Sequence, residues 1–431
     1  MQCRHTRRVS LLPVIVLLIL FSYPMRPLRC RFAPFSLVGL VALSLLLAAC
    51  GSTPEAPPAP APKGKPAAVH RSSASSASSR PPLPAVYSPP QAQAAFQRLI
   101  PGRVVDASGW AADSVNAMGV LRVPMSPENV CAVLAVIEQE SSFQADPEVP
   151  NLSKIVRTEL TARQARYHIP DLVLEAGLRR KSRDGRSYDA RIDALRTEAD
   201  VSRLYEDLAS ELPDIAHRYQ PGNPIHTAGA MQVNVAFAEE HARSKPYPYG
   251  FGVSPRHETF TRRGGLYFGI ALLLDYNAPY PGPLYRFADY NAGRFSSRNA
   301  AFQNALVRVA GVPLDADGDL LIYEEGSKPS AQASRTQQAL ERVAPKLGMR
   351  PAEIRRDLLL EKTEAFMTTP LWQRLFLLAD AGGTPAPRFT MPQIAVQSPK
   401  FHRTLTSSGY ASQVNARWSD CMARQQAGRP G

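Results

Sequence analysis

The chain of 431 residues lacks the patterns by which most cofactor, metal and nucleotide sites are recognised in a sequence. It has no phosphate-binding loop, no dinucleotide fingerprint and no Ser-His-Asp order, which argues against nucleotide-dependent enzymes and serine hydrolases. Its histidines are not at metal-ligand spacing, and its basic residues are scattered without a nucleic-acid motif. The sequence therefore predicts no cofactor, no metal and no nucleic-acid partner.

Long hydrophobic runs are also missing. Two apolar segments near the N-terminus, 11–21 and 35–49, are shorter than the ~20 residues that a membrane-spanning helix needs. We interpret residues 1–49 as a signal peptide. Because Met25 is followed by arginines, the second apolar run and Cys50, translation is predicted to start at Met25. The alternative is that residues 11–21 form a membrane anchor.

The residues around Cys50 resemble a bacterial lipobox, in which small residues precede a cysteine that takes a lipid such as palmitate. This resemblance implies that Cys50 attaches the chain to a membrane. Gly51 and Ser52 lack the aspartate typical of inner-membrane lipoproteins, so the periplasmic face of the outer membrane is expected. Residues 50–90 are rich in proline, alanine and serine, and such a segment is predicted to be an extended tether.

Charge and cysteine content agree with that compartment. Six arginines and no acid within 1–49 account for six of the thirteen net positive charges, which leaves +7 on the mature chain. A basic surface suits anionic partners such as cell-wall polymers. Cys131 and Cys421 are the cysteines that remain after Cys50, and an oxidising compartment permits a disulfide between them. The alternative is a buried free thiol at Cys131.

The remainder of the chain is predicted to be mainly α. Ser126-Pro127 is typical of a helix start, and the following apolar residues recur at helical spacing up to Ile137. Glu140 follows at the end of this helix, on or beside its buried face. A carboxylate in such a position is either paired or functional.

The domain organisation follows from the same reading. We expect one helical domain over 91–325 with a charged helical insertion at 144–227, and a C-terminal helical extension over 326–431 packed on the same domain. Within these segments, 320–323 is predicted to be a strand. Residues 384–431 are predicted to be irregular because prolines interrupt them.

Three short stretches carry the chemistry. They are Glu140-Ser141-Ser142-Phe143, Gly229-Ala230-Met231-Gln232 with Val233-Asn234, and Tyr290-Asn291-Ala292-Gly293. In this order they resemble the catalytic core of lysozyme-like lytic transglycosylases, over roughly residues 130–293. The resemblance implies a lysozyme-like fold in which Glu140 is the catalytic acid. It also implies that substrate is bound by Ser141, Met231, Gln232, Tyr290 and Asn291, with a tyrosine hydroxyl holding the catalytic carboxylate.

The chain departs from the family pattern in three places. Ala230 stands where leucine is usual, and Asp289 replaces a small residue. We expect Asp289 to face water, the alternative being a second carboxylate in the cleft. The insertion at 144–227 is longer than the usual connection. It either roofs the cleft and sets substrate choice, or blocks it in an inactive descendant.

The resemblance implies that this chain cleaves peptidoglycan glycan strands between N-acetylmuramic acid and N-acetylglucosamine with a single glutamate. Hydrolysis by two carboxylates needs a second acid, and none is identifiable from the sequence. One alternative is an inactive lysozyme-like lipoprotein that binds peptidoglycan or a cell-wall synthesis partner. Another is a hydrolase of lysozyme type.

Two weaker patterns remain. Asp315, Asp317 and Asp319 resemble half of a calcium loop, but the glycine at 318 is misplaced, and a turn is the better interpretation. The aromatic residues within 247–251 offer either faces for sugar stacking or a packed loop, and the sequence leaves both open.

Overall fold

The computed structural model of the chain is mainly helical, which confirms the predicted fold class, and seventeen α-helices occur in the part it describes. The described residues are 86–211, 223–245, 247–250, 254–324, 328–396 and 405–427. The predicted signal peptide, Cys50 and nearly all of the tether lie outside these residues. Within the described ranges, no helix combines the length and apolar character needed to cross a membrane. All of the described residues belong to one compact unit.

Three helices precede the insertion: α1 Pro89–Leu99, α2 Ala107–Val120 and α3 Pro127–Glu140. Helix α3 begins as predicted, because the Ser126 hydroxyl accepts a hydrogen bond from the Asn129 backbone N–H and proline occupies the first helical position. Residues 130–137 are all buried in the first hydrophobic core. Helix α3 is therefore surrounded by other elements, and Glu140 is its last residue.

The insertion folds around a hydrophobic core of its own. Its helices are α4 Leu152–Arg166, α5 Asp171–Arg179, α6 Tyr188–Asp193 and α7 Glu198–Ser210. Tyr188, Leu204 and Leu208 are buried at the centre of this core. The charged segment is thus helical, as predicted, and most of its large apolar residues are turned inward, with Leu172 of α5 exposed.

A short antiparallel pair follows the insertion. Strands β1 Thr227–Ala228 and β2 Val233–Asn234 pair and enclose the turn formed by residues 229–232. The chain continues through α8 Val235–Ser244, α9 Pro255–Thr259, α10 Arg262–Leu274 and α11 Pro283–Ala292. Residues of α10, α11 and the turn share the first core with α3. The three sequence motifs therefore border one core.

A second core lies within residues 302–386. Its elements are α12 Ser296–Ala310, α13 Arg335–Arg342, α14 Ala344–Leu347, α15 Pro351–Leu358, a 3-10 helix Glu364–Thr368 and α16 Pro370–Asp380. The strand predicted at 320–323 is wrong, since this segment makes one isolated bridge, between Tyr323 and Pro329. The buried Glu361 carboxylate accepts the backbone N–H groups of Leu320 and Leu321, which a neighbouring strand would otherwise bind.

The irregular C-terminus predicted for 384–431 is also wrong in part. After a short pair, β3 Ala395–Val396 with β4 Leu405–Thr406, the chain forms α17 Ser407–Ala427, a helix of 21 residues. The prolines that suggested irregularity end at position 399. Tyr410, Val414 and Cys421 are buried in the first core. Helix α17 therefore packs on α3 and α11, the helices that carry the first and third motifs.

Candidate active site

Glu140 is half-buried at the C-terminal end of α3, and its carboxylate accepts a hydrogen bond from the Tyr410 hydroxyl. Burial raises the pKa of Glu140 to about 7, and the Tyr410 hydrogen bond offsets part of that rise. Within the part of the chain that the structure describes, no cation forms an ion pair with this carboxylate. Glu140 is therefore close to half-protonated at neutral pH, which suits a group that donates and then accepts a proton.

The backbone after Glu140 leaves the helix sharply. Ser142 and Phe143 both have positive φ angles, 51° and 65°, which non-glycine residues rarely adopt. The Phe143 ring is buried and packs edge-on against Trp110 at 5.4 Å between centroids. The buried Ser141 hydroxyl donates to the Ile137 carbonyl at the helix end, and the substrate contact that the family resemblance implies for this side chain stays a prediction.

The second motif forms a tight turn against the end of α9. Gly229 has φ 75°, and a Cβ at this position would overlap the carbonyl oxygen of Thr259, so glycine is required. Gln232 also has a positive φ, 47°. Its side chain accepts from the Thr227 hydroxyl at 3.1 Å and donates to Glu198 at 3.3 Å. Glu198 begins α7, so the insertion contacts a residue predicted to bind substrate.

Met231 lies in the core and not on a groove. Its side chain is 0% exposed and runs across Gly269 of α10, where any larger residue would collide with it. The expectation that this side chain lines a sugar subsite is therefore corrected: the close approach of α10 buries it. Its carbonyl accepts the Tyr290 hydroxyl at 2.6 Å, which joins the second motif to the third.

The third motif ends α11. Tyr290 is buried, and its pKa is raised by burial and by the nearby charge of Glu140. Its hydroxyl proton is directed to Met231, so Tyr290 is not the tyrosine that holds the catalytic carboxylate. Asn291 is exposed, and its amide donates to the Ser407 hydroxyl of α17 at 3.0 Å. Gly293, at φ 113°, ends the helix.

Asp289 does not face water, contrary to the prediction. It is 0% exposed and accepts hydrogen bonds from the Ser297 and Phe295 backbone N–H groups at 2.7 and 2.9 Å and from the Tyr280 and Tyr276 hydroxyls at 2.7 and 3.2 Å. Burial raises the pKa of Asp289 despite these donors. Its carboxylate connects α11 to α12 and is fully engaged there.

The structure joins Cys131 and Cys421 in a disulfide, so Cys131 is not a free thiol. It also adds Tyr410 to the site, a residue that was not predicted. A signal for its helix exists in the sequence, because Tyr410, Val414, Trp418 and Cys421 recur at intervals of four, four and three. The contact with Glu140 links positions 270 residues apart, and no local pattern predicts it.

A cavity of about 320 Å³ lies between the insertion and the core. Glu140 does not line it. Its wall includes Asp146, which lies three residues after Phe143, and Ala199, which follows Glu198 in α7. The cavity is therefore near the first motif and near Glu198, the residue that contacts Gln232 of the second motif. The lining residues are Asp146, Ala199, Ser202, Arg203, His257, Phe260 and Thr261.

The two weaker patterns have structural roles. In the described part of the aromatic segment, Tyr247 stacks on Phe268 at 5.2 Å and Tyr249 accepts from Asn116, so this part is a packed loop. Asp317 accepts hydrogen bonds from Gln303 and from the Asp319 backbone N–H, as a turn requires. Over the described ranges, no group of three or more His, Cys, Asp or Glu is placed to hold a metal ion.

Comparison with known proteins gives a family but no activity. Residues 103–424 match the family described as "Protein of unknown function (DUF1615)". The chain is also 42% identical, over 327 residues, to the uncharacterized protein YaiW of Escherichia coli (strain K12), an alignment that covers 76% of this chain and 88% of YaiW. No solved structure matches the chain.

Proposed function

This chain belongs to the DUF1615 family, and we propose that it is a membrane-anchored lytic transglycosylase that cleaves the glycan strands of peptidoglycan. The proposed bond is the one between N-acetylmuramic acid and N-acetylglucosamine. The proposal combines the resemblance of the three motifs with the environment that the structure gives to Glu140. The relative YaiW is described as uncharacterized, so it adds no support for a particular activity.

The observation that carries the proposal is the state of the Glu140 carboxyl. A buried glutamate that serves only stability is normally paired with a cation or with several donors. Glu140 instead has a raised pKa, about 7, and receives a hydrogen bond from the neutral Tyr410 hydroxyl. Burial keeps a fraction of this acid protonated at neutral pH, which general acid catalysis at a glycosidic oxygen requires.

The proposed mechanism uses this one carboxyl twice. Protonated Glu140 gives its proton to the oxygen of the scissile glycosidic bond as that bond breaks. The resulting carboxylate then takes the proton from the 6-hydroxyl of the muramic sugar, whose oxygen closes on the anomeric carbon to form an anhydro ring. Asp289, the acid beside Tyr290, is engaged by four donors, so it is not available as a second catalytic carboxylate.

Backbone geometry at the motifs supports a functional site. Ser142, Phe143 and Gln232 are non-glycine residues in the left-handed region, and they lie within the first two motifs. Such conformations cost about 1–3 kcal/mol each and tend to be retained where function needs them. At Gly229 the backbone lies so close to the Thr259 carbonyl oxygen that no side chain fits there.

The proposed location is the periplasmic face of the outer membrane. Cys50 would carry the lipid, and the proline-rich segment would let the folded unit reach the cell wall. The disulfide between Cys131 and Cys421 is consistent with an oxidising compartment.

The chain lacking residues 1–50 keeps every residue that the structure describes, and its incubation with purified peptidoglycan sacculi tests the proposal. We expect soluble products that end in anhydro-muramic acid. New reducing ends without anhydro products would indicate a hydrolase instead, and retention on sacculi without soluble products would indicate a binding protein.

Two variants make this assay specific. Glu140→Gln should lower product release by roughly 10²- to 10⁴-fold, the usual contribution of a general acid. Glu138→Gln is the matched control, since Glu138 lies on the same helix and pairs with Arg103. Full cleavage by Glu140→Gln would contradict the proposed role of Glu140.

A further inference from the structure

We propose that Tyr410 is the positioning residue of this site: its hydroxyl orients the Glu140 carboxyl, and the C-terminal helix α17 carries it there. The inference deepens the proposed function and rests on it for the catalytic meaning of Glu140. It differs from what the family resemblance implies, which is that the tyrosine of the third motif performs this task.

The hydrogen bonds separate the two tyrosines. A phenol has one proton to donate. Tyr290 donates its proton to the Met231 carbonyl at 2.6 Å, whereas Tyr410 donates to the Glu140 carboxylate. Burial and the Glu140 charge both raise the pKa of Tyr410, so it remains a neutral donor.

Helix α17 is fixed along α3, which gives the Tyr410 hydroxyl a defined position. Tyr410 meets Glu140 at one end, and about eleven residues later Cys421 is bonded to Cys131. The two helices therefore run antiparallel, over about 15 Å between these contacts. Further along the pair, the Trp418 indole donates to the Glu128 carbonyl at 3.1 Å.

The same helix reaches the third motif. The Ser407 hydroxyl, at the first residue of α17, accepts the Asn291 amide at 3.0 Å. Tyr410 follows Ser407 by three residues, so both lie on one face of the helix. The first turn of α17 thus contacts the first and third motifs and holds them together.

Among the residues that the structure describes, few charged groups lie near the Glu140 carboxyl, so a change at Tyr410 can be read in its titration. The described titratable and charged groups at this end of α3 are Glu138 paired with Arg103, Tyr290 from α11, and Tyr410 and Arg417 from α17. Of these, the Tyr410 hydrogen bond favours the ionised form of Glu140. Its removal should raise the pKa of Glu140.

The test is Tyr410→Phe in the chain lacking residues 1–50, with glutamate side chains labelled with carbon-13 at the carboxyl. The Glu140 signal is identified by its loss in Glu140→Gln, and its titration is followed by NMR without substrate. We expect the Glu140 midpoint to move upward in Tyr410→Phe. Turnover on sacculi should fall on the order of 10- to 100-fold through kcat, with the acidic and basic limbs of the pH profile displaced upward.

Tyr87→Phe is the matched control. The Tyr87 hydroxyl donates to Gln425 at 3.4 Å, so this variant also removes a tyrosine hydroxyl bonded to α17, but far from Glu140. It should leave the titration and the turnover as in wild type. An unchanged Glu140 midpoint in Tyr410→Phe would overturn the inference whether or not the wild-type chain cleaves glycan. If turnover of Tyr410→Phe fell while its pH profile stayed in place, the positioning role of Tyr410 would also be overturned, because such a result indicates only a structural effect.

Discussion

Cys131 and Cys421 are separated by 290 residues and form a disulfide that fastens the C-terminal helix to the helix that ends in Glu140. The bond lies within the first core, where both cysteines are buried. It closes nearly the whole folded unit into one loop, with α1 and α2 outside it. The position of Tyr410 over Glu140 therefore depends on a covalent contact made at the other end of both helices.

Replacing both cysteines with serine should destabilise the chain by about 2–5 kcal/mol, because the disulfide restricts the unfolded chain and buried serine hydroxyls lack the packing of sulfur. Urea denaturation monitored by circular dichroism measures the change. Dithiothreitol is the control: it should lower the midpoint of the wild-type chain toward that of Cys131→Ser/Cys421→Ser and leave the variant unchanged. Equal midpoints for oxidised wild type and variant would contradict the prediction.

Local signals predicted the parts of the fold that depend on local physics. The start of α3 was predictable because the Ser126 hydroxyl accepts a backbone N–H of the first turn and Pro127 has no N–H that would need a partner. The apolar spacing that follows placed Glu140 at the helix end. The helical character of the insertion followed from its composition in the same way.

The contacts that complete the site were not predictable, because they join distant segments. The prolines up to position 399 led to the prediction of an irregular C-terminus, although Tyr410 and Cys421 lie on an apolar stripe of α17 beyond them. Asp289 was expected in water because an aspartate is costly to bury, but four donors from α10–α12 and their connections compensate that cost. Such compensation requires the tertiary structure.

Stability should depend on pH through Glu140. Its pKa is about 7 in the folded chain, against an ordinary value of 4.5, so the folded state holds a proton that the unfolded state has released between these values. The free energy of unfolding therefore decreases through Glu140 as pH rises from about 4.5 to 7, and this contribution is constant at higher pH. Removing the ionisable group in Glu140→Gln should remove this loss. As pH rises from 4.5 to 8, the free energy of unfolding of the variant should increase relative to that of wild type by up to about 3 kcal/mol.

Urea unfolding at several pH values measures this difference. Glu361, a second buried acid whose pKa is raised to about 7, remains in both chains and cancels from the comparison. Glu353→Gln is the control, because Arg350 lowers the pKa of Glu353 to about 2 and this group stays charged over the whole range. A wild-type-minus-variant difference for Glu140→Gln that does not change with pH would show that its carboxyl is not desolvated.

The close approach at the second motif can be tested with two glycines of similar backbone conformation. Gly229 has φ 75° and an added Cβ would overlap the Thr259 carbonyl, whereas Gly185 has φ 85° and no atom within 4 Å of such a Cβ. Gly185→Ala should cost about 1 kcal/mol, the price of the left-handed conformation alone. Gly229→Ala should cost at least roughly 2 kcal/mol more, because the backbone must shift. Thermal unfolding of both variants gives the comparison, and equal losses would mean that the turn relaxes freely.

The buried carboxylate of the third motif is expected to be a stability determinant for the end of α11. In Asp289→Asn, an amide NH₂ would face the backbone N–H groups of Phe295 and Ser297, which would leave at least one buried donor without an acceptor. The expected cost is about 1–3 kcal/mol, measured by urea denaturation. Asp315→Asn serves as the control because that side chain is 80% exposed, and its change should lie within about 0.5 kcal/mol of wild type. If Asp289→Asn were as stable as Asp315→Asn, the carboxylate would be replaceable by an amide, and the connection from α11 to α12 would depend on packing alone.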